Sequence, residues 1–136
     1  MTTNLDRLKE AYAAWNDTRG ESRDVWAAMM AEQFAINHVD EKSPGLTFAK
    51  DSLTRAEALD YLSAIFDEWE MLYYRPEHYV GEGDSIAMFG RCGFRHKGTG
   101  RDAEMRMACL WRFDGDKAVS LTEVCDTAVA MKAATG

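Results

Sequence analysis

Residues 101–127 read RDAEMRMACLWRFDGDKAVSLTEVCDT, and this stretch decides the fold. It predicts two long strands joined by the tight turn Asp114-Gly115-Asp116, whose residue types favour reversal of the chain. Strand alternation places Glu104, Arg106 and Ala108 on one face of the first strand, and Leu121, Glu123 and Cys125 on one face of the second. Everything upstream supplies helices and further strands able to cover this hairpin.

Working outward, a chain of 136 residues is long enough to close one core without disulfides or metal, so residues 1–136 are read as a single domain. A net charge of −7 disfavours nucleic acid and anionic membranes as partners, because both require a clustered basic face. Cys92, Cys109 and Cys125 are odd in number and lie in strand-like runs without CxxC spacing. His38, His78 and His96 form no ligand pair, so no metal site is expected. The N-terminal MTTNLDRLKEAYAAW has neither the apolar region of a signal peptide nor a membrane-spanning run. Reduced cysteines and a cytoplasmic location are therefore expected.

Leu5, Leu8, Tyr12 and Trp15 share one face of a first helix, capped by Thr3 or Asn4 and ended by Gly20. Ser22 caps a second, short helix with Val25, Trp26, Met29 and Met30 as its buried stripe. Phe34–Val39 switches to a strand, with Phe34, Ile36 and His38 on one side and Ala35, Asn37 and Val39 on the other. Ser43-Pro44-Gly45 is a turn, and Leu46–Phe48 a short return strand. Thr54 and Glu57 form a capping box for a third helix, along which Leu59, Leu62, Phe66 and Trp69 keep helical spacing. From Met71 the chain reads as an antiparallel meander. Pro76 assigns its first strand to a sheet edge or a bulge, while Gly90 and Gly93 mark a bend in its second. Asp126 caps a short C-terminal helix.

Three segments carry a family resemblance: Ala14-Trp15-Asn16, Trp111-Arg112-Phe113-Asp114-Gly115 and Glu123-Val124-Cys125-Asp126-Thr127-Ala128. With this order of elements the chain resembles the nuclear transport factor 2-like superfamily, and within it the SnoaL-like polyketide cyclase and ketosteroid isomerase-like group. The resemblance implies an α+β fold in which a cone-shaped, curled, mixed but mostly antiparallel sheet packs on three N-terminal helices, a cystatin-like α+β barrel. It also implies an apolar cavity for a small hydrophobic ligand and often a homodimer across the outer sheet face.

The resemblance brings Glu123 forward as a general base, since the cyclases keep an acidic residue there. A carboxylate in an apolar cavity has its pKa raised toward the range useful for removing a proton beside a carbonyl. His38 lies near the isomerases' catalytic carboxylate, and Asn37 matches an asparagine of the cyclases; alternation lets only one of the two face inward. Arg106, if inward, would pair with Glu123 and polarise an oxygen; if outward, it joins a cross-strand ion pair. The isomerases' oxyanion-hole positions hold Ala11 and Ala108 or Cys109, with Tyr12 one residue away, and the cyclases' penultimate-strand histidine falls at about Ala108. Tyr12, Trp15, Trp26, Tyr61, Phe66 and Trp69 are candidate pocket walls. No Gly-rich phosphate loop is present, so no nucleotide cofactor is expected. The expected activity is cofactor-free isomerase, cyclase or hydratase chemistry on a hydrophobic carbonyl compound. The competing reading is a binding module whose cavity is filled by its own aromatic side chains or holds a ligand without turnover.

Overall fold

The structure is a computed structural model that describes residues 2–38 and 51–135. Its elements run α1 (Asn4–Asp17), α2 (Arg23–Met29), β1 (Met30–His38), α3 (Arg55–Glu68), β2 (Trp69–Glu82), β3 (Ser85–His96), β4 (Asp102–Asp114), β5 (Lys117–Cys125) and α4 (Thr127–Thr135). The five strands form one sheet in the order β1-β5-β4-β3-β2. β1 runs parallel to β5, and the other pairs are antiparallel. This is the α+β architecture expected from the sequence: a curled, mixed, mostly antiparallel sheet with helices on one face.

Local chemistry accounts for the boundaries. Thr3 accepts from the Asp6 amide and Asp6 reaches back to the Thr3 amide, a reciprocal cap that starts α1. The Thr54 hydroxyl accepts from the Glu57 amide to start α3, whereas Glu57 accepts from Leu53, one residue before the anticipated partner. Ser22 sits at the start of α2 but makes no side-chain cap bond. Pro76 lies on β2, an edge strand, and the register shifts between Pro76 and His78. That is where a residue without an N–H is tolerated. Gly90 faces this shift, and a Cβ there would lie 2.3 Å from the Arg75 carbonyl oxygen.

Two junctions differ from the sequence reading. β1 begins at Met30, which moves this residue out of the α2 stripe, and α3 ends at Glu68, so Trp69 opens β2. Helical spacing continued through both junctions because the first residue of the incoming strand also faces the core; both residues are buried. The Ser43-Pro44-Gly45 turn and the Leu46–Phe48 strand lie outside the described residues. Just beyond them, Ser52 makes a two-bond bridge to Ile36, with N···O distances of 2.9 and 3.0 Å.

The core lies between the concave sheet face and the helices. Alternate β4 residues Ala103, Met105, Met107, Cys109, Trp111 and Phe113 are buried, whereas Glu104, Arg106 and Leu110 are exposed. Trp111 stacks on Trp26 with centroids 5.3 Å apart, and its indole N–H donates to the Tyr12 hydroxyl at 2.9 Å. Burying the indole and phenol together satisfies both polar tips. The Asn4 amide donates to the Gly115 carbonyl, tying the start of α1 to the tip of the β4–β5 turn. No described helix is long and apolar enough to cross a membrane.

Candidate functional site

The parallel pairing of β1 with β5 sets His38 beside Glu123, and the antiparallel pairing of β5 with β4 sets Glu123 beside Cys109. Paired residues point to the same side of a sheet. All three therefore turn toward the concave face, where a cavity of about 80 Å³ opens. Its walls are almost wholly apolar, and His38, Tyr61 and Glu123 supply polar groups along one side.

His38 Nδ1 lies 3.1 Å from Asp51 Oδ1, and the same oxygen accepts from the His38 backbone amide at 3.0 Å. On the other side of the ring, Nε2 lies 3.2 Å from the Tyr61 hydroxyl and 4.0 Å from Glu123 Oε1. The imidazole is 6% exposed, Glu123 25% and Asp51 54%, so the cluster runs from the cavity to solvent. Burial holds the Glu123 carboxyl above its usual pKa, and His38 pulls it partly back down. Burial, reinforced by the nearby Glu123 charge, pushes Tyr61 well above the usual phenol range. A carboxyl that binds its proton more readily beside an imidazole is a pair able to exchange protons.

Farther along the wall, Tyr12 and Tyr74 stack with centroids 5.6 Å apart, and Cys109 is buried on the same face of the sheet. Burial raises the Cys109 pKa and Glu123 raises it further, which keeps the sulfur a neutral thiol rather than a nucleophile.

Of the candidates read from the sequence, Glu123, His38, Tyr12, Trp15, Trp26, Tyr61 and Phe66 line this cavity. Four do not. Arg106 is exposed on the convex face opposite Arg91, on the other side of the sheet from Glu123, so it cannot orient that carboxylate. Ala108 lies on the same outer face between Phe89 and Val124; the inward position is its neighbour Cys109. A one-residue displacement on a strand reverses the face, so an ungapped comparison could not decide between them. Asn37 is exposed, leaving His38 as the inward member of that pair. Trp69 is fully buried but packs edge-on against His96, 4.8 Å away, outside the cavity wall.

The sequence reading missed Asp51 and Tyr74 as parts of the site. Tyr74 lies on a strand, where alternation marks a face but not which of its residues reach the cavity. Asp51 lies in no periodic segment, and nothing in its surroundings linked it to His38. Among the described residues, no group of three His, Cys, Asp or Glu side chains is arranged to hold a metal ion.

Solved structures share this architecture along nearly the whole chain. An NTF2-like protein of unknown function from Burkholderia pseudomallei is 21% identical, with both chains covered completely and a TM-score of 0.83. A protein from Jannaschia put forward as a SnoaL-like polyketide cyclase is 15% identical, with 98% of this chain and 92% of that one covered and a TM-score of 0.79. A protein with a ketosteroid isomerase-like fold from Catenulispora acidiphila, crystallised with trimethylamine, is 15% identical, with 89% and 85% covered and a TM-score of 0.71. At these identities the likeness speaks to the fold. A comparison with curated proteins gave no match. The family model of the SnoaL-like domain matches residues 8–121, and the chain therefore belongs to the SnoaL-like domain family.

Proposed function

We propose that the cavity binds a small hydrophobic carbonyl compound and moves a proton on it without a cofactor, in isomerase, cyclase or hydratase chemistry. Glu123 is the base that takes a proton from the carbon beside the carbonyl, and His38 is the second proton-exchanging group. The observation that carries this reading is the placement of the Glu123 carboxyl and the His38 imidazole, 4.0 Å apart, on the wall of one apolar cavity. Burial that raises the Glu123 pKa makes the carboxylate a stronger base for this work. The Catenulispora relative's trimethylamine complex adds support for a ligand of few atoms.

A second reading, ligand binding without turnover, is favoured by the cavity's size. About 80 Å³ is well below the roughly 300–1,000 Å³ of common ligand sites, and among the described residues no Lys or Arg lines it to hold an enolate. Anything beyond a small fragment requires the walls to move. Met30, Met105 and Met107 are the wall residues best able to repack, having unbranched, flexible side chains.

The partner proposed for the convex face is a second copy of the chain. Val80, Phe89 and Leu110 are 60%, 48% and 40% exposed there, and Ala108 and Val124 continue the row across β4 and β5. The free thiols of Cys92, Cys109 and Cys125 support a cytoplasmic location.

Two readouts separate enzyme from binding module. Small cyclic ketones and lactones are screened by thermal shift, and those that bind are incubated with the protein in D₂O while NMR follows deuterium entering the α-carbon. Wild type is expected to accelerate exchange, and Glu123→Gln to lose at least tenfold, within the roughly 10²–10⁴ contribution of a positioned base. Equal exchange by both proteins rejects the base assignment. Binding without exchange by either favours the second reading.

A further inference from the structure

We infer that Asp51 is a positioning residue that locks the neutral His38 ring with its proton on Nδ1, turning the Nε2 lone pair toward Tyr61 and Glu123. The inference deepens the proposed function and rests on His38 taking part in it. An ionised carboxylate accepts hydrogen bonds and cannot donate them. Asp51 Oδ1 lies 3.1 Å from Nδ1, so the ring nitrogen facing it must carry the hydrogen. The carboxylate is itself held in place, because the same oxygen accepts from the His38 amide at 3.0 Å. One side chain thus fixes both the strand end and the ring on it.

The consequence lies at the other nitrogen. With Nδ1 protonated, Nε2 of the neutral ring is an acceptor, and the Tyr61 hydroxyl at 3.2 Å donates to it. Donor hydrogens then run in one direction, from Tyr61 to His38 and from His38 to Asp51, which at 54% exposure meets solvent. In this arrangement His38 takes up a proton from the cavity side and gives none until it is charged. The identity of the second nitrogen's partner is what sets the tautomer of a functional imidazole.

His96 provides a contrast within the same molecule. There the Thr99 amide donates to Nδ1 at 3.1 Å, and Nε2 faces Glu68 at 3.2 Å. An amide donor at Nδ1 requires the neutral ring to carry its hydrogen on Nε2. His38 and His96 are therefore expected as opposite tautomers, while His78 is exposed.

Long-range ¹H–¹⁵N NMR of uniformly labelled protein reads this directly, because the two nitrogens of each ring differ in shift according to which is protonated. The three histidines are assigned by single substitution and followed from pH 5 to 9. The expected result is neutral His38 protonated on Nδ1 and neutral His96 protonated on Nε2. In Asp51→Ala, His38 is expected to shift toward the Nε2–H form while His96 stays unchanged, a change that a purely structural role would not produce. A wild-type His38 protonated on Nε2, or still an imidazolium at pH 9, overturns the inference without need of the variant. So does Asp51→Ala with the His38 tautomer unaltered. None of these readouts involves turnover, so failure of the proposed chemistry and failure of this inference are separately visible.

Discussion

Glu123 is a carboxyl that the fold holds in an apolar wall, and its effect on stability has a definite sign. Burial raises its pKa above the ordinary value of 4.5, so the folded state binds this proton more tightly than the unfolded chain does. Stability from this group is fully present below pH 4.5 and is lost as pH rises through the folded pKa. Glu123→Gln keeps the shape and cannot ionise. The variant is expected to match wild type in thermal melting near pH 4 and to become the more stable protein as pH rises toward 7. A gap that stays constant across that range would place the carboxyl's environment outside the wall described here. His38 on the neighbouring strand works against the effect, and its removal is expected to widen the gap.

At the scale of elements, the β2–β3 pair shows how single residues govern a strand. A Cβ on Gly90 would meet the Arg75 carbonyl oxygen at 2.3 Å and Pro76 Cα at 2.8 Å. Both are backbone atoms, so the edge strand itself has to shift. Gly90→Ala is expected to cost about 1–3 kcal/mol by urea unfolding, the usual range for overpacking. Gly81→Ala on the same pair meets nothing closer than 3.8 Å and is expected to stay within about 0.5 kcal/mol of wild type. Similar losses at both positions would mean that strand propensity rather than close approach sets the requirement. Pro76 and Gly90 were both legible in the sequence as marks of an edge and a bend, since proline lacks a ladder donor and glycine lacks a Cβ.

For the whole molecule, the sheet has two faces with different tasks. The concave face encloses the cavity, and the convex face presents Val80, Phe89 and Leu110 to solvent. If two copies bury that patch, Phe89→Glu combined with Leu110→Glu places like charges against each other across the interface. Light scattering is expected to show a dimer for wild type and a monomer for the double variant, with far-UV circular dichroism unchanged. Wild type that scatters as a monomer removes the proposed partner. Arg106 lies on the same outer face as this patch, which is why it is not a candidate for the chemistry inside.

The sequence by itself determined the element order and the sheet's main hairpin, and marked Pro76 for an edge or a bulge. It set His38 on the same side of β1 as Phe34 and Ile36, while leaving open whether that side or the side of Asn37 faces inward. These follow from local periodicity, caps and turn chemistry, which operate within a few residues. Tertiary structure decided what periodicity cannot reach. Whether Ala108 or Cys109 lies on the buried face of β4 depends on strand register, where a slip of one residue exchanges the two faces. Asp51 became visible as His38's partner only when the chain returned to the end of β1. The residue carries no pattern of its own, and its contact arises from residues 13 apart in sequence. Arg106 and Glu123 remain neighbours on one hairpin in the sequence, yet the sheet separates them.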